Sequence, residues 1–129
     1  MILEAESLHK SFASPAGEIA VLRGVEVSAT RANLAAAIEL AKQSGARVLL
    51  AGMKLPPNYG PEYTASFEAL FPALAAQYDV ALLPFLLEGV AANPDLNLPD
   101  GIHPNARGTE IVARNVVAAL LPMLAEPRR

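Results

Sequence analysis

The chain has 129 residues, 53% hydrophobic and 18% charged, with ten Lys and Arg against thirteen Asp and Glu for a formal net charge of −3. That is the length of one ordinary domain, too apolar for intrinsic disorder, and too acidic, without any Lys/Arg run, for a nucleic-acid partner. With no cysteine there are no disulfides, thiolate metal sites or cysteine nucleophiles, and two histidines far apart suggest no metal site, so no cofactor is expected.

No apolar run approaches the ~20 residues of a bilayer crossing. The opening Met1-Ile2-Leu3-Glu4-Ala5-Glu6 lacks a signal peptide's basic and apolar regions, so a cytoplasmic chain with no membrane span is expected. Along residues 1–27, Ile2, Ala5, Leu8 and Phe12 interleave with Glu4, Glu6 and Lys10. After the turn signal Ser14-Pro15-Ala16-Gly17 comes a β-branched run, Ile19 to Val27. This pattern predicts a β-hairpin.

From Thr30 the rhythm becomes helix, strand, helix, strand, helix. Thr30 is placed to cap a helix over Arg31–Ser44, carried by Leu34, Ile38 and Ala41 (or Leu40) and stopped by Gly45. Arg47–Leu55 opens with Val48, Leu49, Leu50 and Ala51, an almost uninterrupted apolar run typical of a strand buried on both faces. Pro56-Pro57-Asn58-Tyr59-Gly60-Pro61 must then be a loop. Glu62–Tyr78 carries Phe67, Leu70, Phe71, Leu74 and Ala75 on one helical stripe, with Pro72 marking a kink or a new turn. Val80–Phe85 reads as a second buried strand, residues 86–104 as a long loop and Asn105–Leu124 as a closing amphipathic helix. Two buried strands joined by a helix imply a parallel sheet, whose ligands bind at the carboxyl ends of the strands. Both loops lie there.

The chemistry is concentrated in Leu98-Pro99-Asp100-Gly101-Ile102-His103-Pro104-Asn105. An aspartate three residues before a histidine can orient the imidazole and stabilise its charged form while the other ring nitrogen handles a proton. Gly101 permits the tight backbone between them, and Asn105 suits the start of the last helix. Around the presumed site, Met53 and Lys54 either face the cleft or fill it, and Glu62 flanks the proline loop.

Asp100-Gly101-Ile102-His103-Pro104-Asn105 resembles the last diagnostic block of the SGNH, or GDSL, serine hydrolases. Leu22-Arg23-Gly24, Ala29 to Leu34, Leu55 to Tyr63 and Leu82 to Leu86 are similar to the branch containing acyl-CoA thioesterase I, lysophospholipases and arylesterases. The resemblance implies an α/β fold, a truncated flavodoxin-like parallel sheet with flanking helices over 25–129, to which the hairpin of 1–24 is appended. It implies His103 as general base, Asp100 as its orienter, and Pro57, Asn58, Tyr59 and Tyr63 as the border of an acyl or leaving-group pocket. The implied substrate is a small carboxylic ester or thioester.

The family's Gly-Asp-Ser-Leu block, which carries the nucleophile, does not occur in this chain, nor do the glycine and asparagine blocks of the oxyanion hole. The serines at 7, 11, 14, 28, 44 and 66 lie in no comparable context. Activity is therefore expected to be weak or impaired. The alternative is an inactive remnant that dimerises and binds acyl chains. Residues 1–25 instead resemble the opening hairpin of an ABC-transporter ATPase of the lipoprotein-releasing type, without the phosphate-binding loop that should follow, so ATP binding is not expected. Leu22-Arg23-Gly24 fits both families and marks a junction. A sheet lacking its first strands leaves an open flank, which favours a homodimer.

Overall fold

A computed structural model of the chain describes residues 15–126, with side chains from Val27 onward. Its elements are α1 (Pro15–Gln43), β1 (Leu49–Ala51), α2 (Pro61–Tyr78), β2 (Ala81–Leu83) and α3 (Ala106–Ala125), with 3₁₀ turns at Pro57–Tyr59 and Pro94–Leu96. β1 and β2 pair in parallel, Leu49 opposite Ala81, Leu50 opposite Leu82 and Ala51 opposite Leu83, with α2 as the crossover.

The N-terminal hairpin needs correction. Its second arm, Ile19 to Val27, is part of α1, which runs unbroken from Pro15 through Thr30, the expected cap. The first arm, Ile2 to Phe12, lies outside the described residues. β-Branched residues cost a helix interior at most ~0.7 kcal/mol each. Val27, Leu34, Ala35 and Ile38 meet the core at helical spacing, so tertiary packing already requires a helix there, and the β-branched run continues it. The other end is as expected. Gly45 adopts φ +81°, and Ala46 N–H donates to Ala41 O, closing the last turn.

α2 begins at Pro61, whose missing N–H costs nothing in a first turn, and continues through Pro72. It buries Leu70, Phe71, Leu74 and Ala75 against Ile38 of α1 and Leu50 of β1. Across the α1–α2 seam, Arg31 donates to Gln77 Oε1 at 2.9 Å and the Tyr78 hydroxyl to Glu39 Oε1 at 2.7 Å. Leu50 and Leu82, opposite one another, face this layer. The alternate residues, Leu49, Ala51, Ala81 and Leu83, turn to the second face, where α3 packs against β2.

Both strands are shorter than the apolar runs that encode them. The ladder persists just past them, with Gly52 N–H donating to Leu83 O at 2.7 Å and Leu86 N–H to Gly52 O at 2.9 Å. The approach is close enough that a Cβ on Gly52 would lie 2.1 Å from Pro84 O. Arg47 ties the other end, donating to the carbonyls of Met123 and Glu126 at the end of α3.

α3 is less covered than an ordinary core helix. Val117, Leu121 and Leu124, one stripe of it, are 51%, 59% and 67% exposed. By length and composition α3 is apolar enough to cross a membrane, which corrects the expectation that no run approaches that threshold. Its contact with β2 and the 94–96 turn shows it serving the fold as a layer on the sheet.

Candidate active site

Both loops expected at the carboxyl ends of the strands are there, 52–60 after β1 and 84–105 after β2. The second is tightly knit. Asn97 and Pro104 form an antiparallel bridge, Leu98 N–H donates to His103 O at 2.7 Å, and Gly101 N–H to Leu98 O at 2.9 Å with Gly101 at φ +71°. Residues 98–103 are thereby folded into a tight excursion with Asp100 and His103 on it.

Asp100 closes the excursion. Its Oδ1 accepts from the backbone N–H of Ile102 at 2.9 Å and of His103 at 3.1 Å, and its Oδ2 lies 2.6 Å from His103 Nδ1. The imidazole beside it, followed by the two backbone amides, holds the Asp100 carboxyl down at about 2. An ionised carboxylate only accepts, so Nδ1 carries the proton, and in the neutral ring Nε2 presents a lone pair. The imidazole is 71% exposed, which leaves the ring open to solvent. None of the described serine hydroxyls pairs with it. Ser28 and Ser66 lie exposed on α1 and α2, and Ser44 donates to Ala41 O at 2.7 Å. Ser7, Ser11 and Ser14 fall outside the described residues.

Pro57, Asn58 and Tyr59 form a 3₁₀ turn that leads into α2. Tyr59 stacks toward Tyr63 with centroids 6.1 Å apart, and the series continues through Phe67 to Phe71 at 6.4 and 5.4 Å, carrying aromatic contact from the loop into the core. A cavity of about 440 Å³ beside the dyad loop is lined by Asn93, Asn97, Leu98, Pro99 and Gly101 among others, and none of Pro57, Asn58, Tyr59 or Tyr63 contributes to it. Met53 packs against the core, while Lys54 pairs with Glu68 at 3.1 Å and lies over the Phe85 ring. Glu62 sits exposed in the first turn of α2.

Sequence reasoning missed what holds the dyad loop in place. Asn97 is 7% exposed and donates from Nδ2 to the carbonyls of Val90 and Asn93, both at 2.8 Å. Gly108, in the first turn of α3, lies so close to the loop that a Cβ there would be 2.1 Å from Leu96 O. The only sequence signal for either was a loop dense in Asn, Pro and Gly before a helix.

Residues 21–111 match the GDSL-like Lipase/Acylhydrolase family. Over 103 residues, 80% of this chain, it is 43% identical to Esterase TesA of Pseudomonas aeruginosa and 37% identical to Thioesterase 1/protease 1/lysophospholipase L1 of Escherichia coli K12. The match covers 51% and 50% of those proteins, so the chain spans about half the length of the curated relatives it matches. A crystal structure of TesA superposes with a TM-score of 0.73 at 42% identity, over 79% of this chain and 57% of that one. The parallel strands joined by a helix, the dyad loop after the second strand and these matches lead to one conclusion: the chain belongs to the GDSL-like lipase/acylhydrolase family.

Proposed function

We propose that this chain is an SGNH-type esterase unit acting on small carboxylic esters or thioesters, with His103 as general base and Asp100 holding it in the reactive tautomer. The observation that carries the reading is the 2.6 Å contact between His103 Nδ1 and Asp100 Oδ2, which directs the Nε2 lone pair outward at the carboxyl end of a parallel sheet. In this reading Pro57, Asn58 and Tyr59, on the loop after β1, and Tyr63, at the start of α2, border the acyl or leaving group. The relatives named esterase and thioesterase support the substrate class.

With water or an unassigned serine as the attacking group, general-base assistance contributes only ~10²–10⁴-fold, so turnover is slow. Hydrolysis of p-nitrophenyl acetate and butyrate tests this. The expected result is a low rate that His103→Ala abolishes. A rate unchanged by His103→Ala overturns the role of His103, and a high rate abolished by one Ser→Ala overturns the impaired chemistry.

The exposed α3 stripe favours a second reading, a catalytically inactive hydrolase remnant that forms homodimers and binds acyl chains on that face. Absence of hydrolysis together with a dimer in solution would support it over the first. Residues before Leu22 we assign to an ABC-ATPase-like opening joined to the hydrolase at Leu22-Arg23-Gly24. The family match beginning at residue 21 supports that junction. Two complete parent genes side by side, with no joined copy in the source DNA, would make the junction an artefact of assembly.

A further inference from the structure

The base of the dyad loop converges on one side chain that the proposed chemistry does not use. Asn105 caps α3, its Oδ1 accepting from Gly108 N–H at 3.0 Å. The other half of the same amide faces back into the loop, Nδ2 donating to Asp95 O at 2.9 Å and, more weakly, to Asn97 O at 3.4 Å. Its backbone N–H donates to Leu96 O at 2.9 Å. Asn105 therefore fastens the segment that enters the excursion, residues 95–97 at the end of the 3₁₀ turn, to the helix that receives its end. His103 stands two residues away, on the segment between these two fixed ends.

Asn97 supports the same arrangement at a cost. Both its amide protons are used on Val90 and Asn93, while its buried Oδ1 has no partner among the described residues. An unpaired buried acceptor costs ~1–3 kcal/mol. A polar side chain kept in place against that penalty indicates that the entering segment has to be held where it is.

We infer that Asn105 is a positioning residue for the Asp100–His103 pair, acting through its Nδ2 bonds to the 95–97 segment and separately from its capping of α3. The role rests on the reading of Asp100 and His103 as the proton-handling pair, but its test does not require turnover. A mere cap needs only an acceptor, which serine supplies as well as asparagine. Positioning also needs the two donated bonds, which the shorter serine cannot span. Asn105→Ser adds no charge to a segment that already holds Asp95 and Asp100.

The experiment follows the Asp100 carboxyl by carbon-detected NMR in the full chain, as wild type, Asn105→Ser, Asn105→Ala and His103→Ala. The wild type is expected to titrate at about 2. In His103→Ala and Asn105→Ser the midpoint should rise by about one to two pH units toward the ordinary carboxylate value, while the circular dichroism of Asn105→Ser keeps the helical content of the wild type. Asn105→Ala should show the same rise with added fraying of α3. A folded Asn105→Ser chain whose Asp100 titrates like the wild type overturns the positioning role. Should the variants fail to fold, the wild type still decides. Side-chain amide protons of Asn105 that exchange as fast as those of an exposed asparagine overturn the proposal, and protected ones support it. A wild type that hydrolyses no ester would sink the functional reading without moving this titration.

Discussion

A Cβ added at Gly108 would lie 2.1 Å from Leu96 O and 3.1 Å from both Pro104 Cβ and Val90 Cγ1, so the first turn of α3 and the dyad loop approach one another only because that carbon is missing. Gly108→Ala should lower stability by ~1–3 kcal/mol in urea denaturation, as overpacking does, and reduce any His103-dependent hydrolysis with it. Asp100 sets the acid limit of the loop. Its carboxyl sits at about 2 in the folded chain, below its unfolded value of ~3.9. The stabilisation is thus complete above the unfolded value and disappears as pH falls through the folded one. Acid unfolding followed by circular dichroism should steepen between about pH 4 and pH 2 in the wild type and flatten there in His103→Ala. The Asp100–His103 pairing was legible because both members sit within four residues of chain and their contact is local. Asn97 was not, because its value depends on Val90 and Asn93 being folded back over it, and nothing in a single Asn marks that.

α2 was readable from its stripe alone. Leu74, fully buried on it, lies in the core cluster shared with Ile38 of α1 and Leu50 of β1. Leu74→Ala should cost ~2–5 kcal/mol, read as a lower midpoint in thermal or urea unfolding. The strands were legible as apolar runs but not in length, because a ladder ends where its partner leaves, and an apolar run does not say where that is. The first helix shows the opposite failure. Ile19 to Val27 has strand-like composition, and the local preference is small enough for a core-anchored helix to override it.

At the scale of the molecule, two strands carry the sheet among the described residues, and the α3 stripe of Val117, Leu121 and Leu124 faces outward. Such a face favours association at tens of micromolar concentration. Light scattering should show a mass above that of one chain, and Leu121→Lys should bring it down to the monomer with little loss of stability, since the residue is 59% exposed. The α/β class was legible from the alternation of elements. The uncovered stripe was not, because periodicity reports that a face is apolar and not what lies against it. The dyad loop has a consequence of another kind. Its contacts run almost wholly between residues 90 and 108, with few obligations to the sheet. An imidazole–carboxylate pair built on so short a cassette is portable: grafted ahead of the first turn of an unrelated helix, it should carry its own geometry with it.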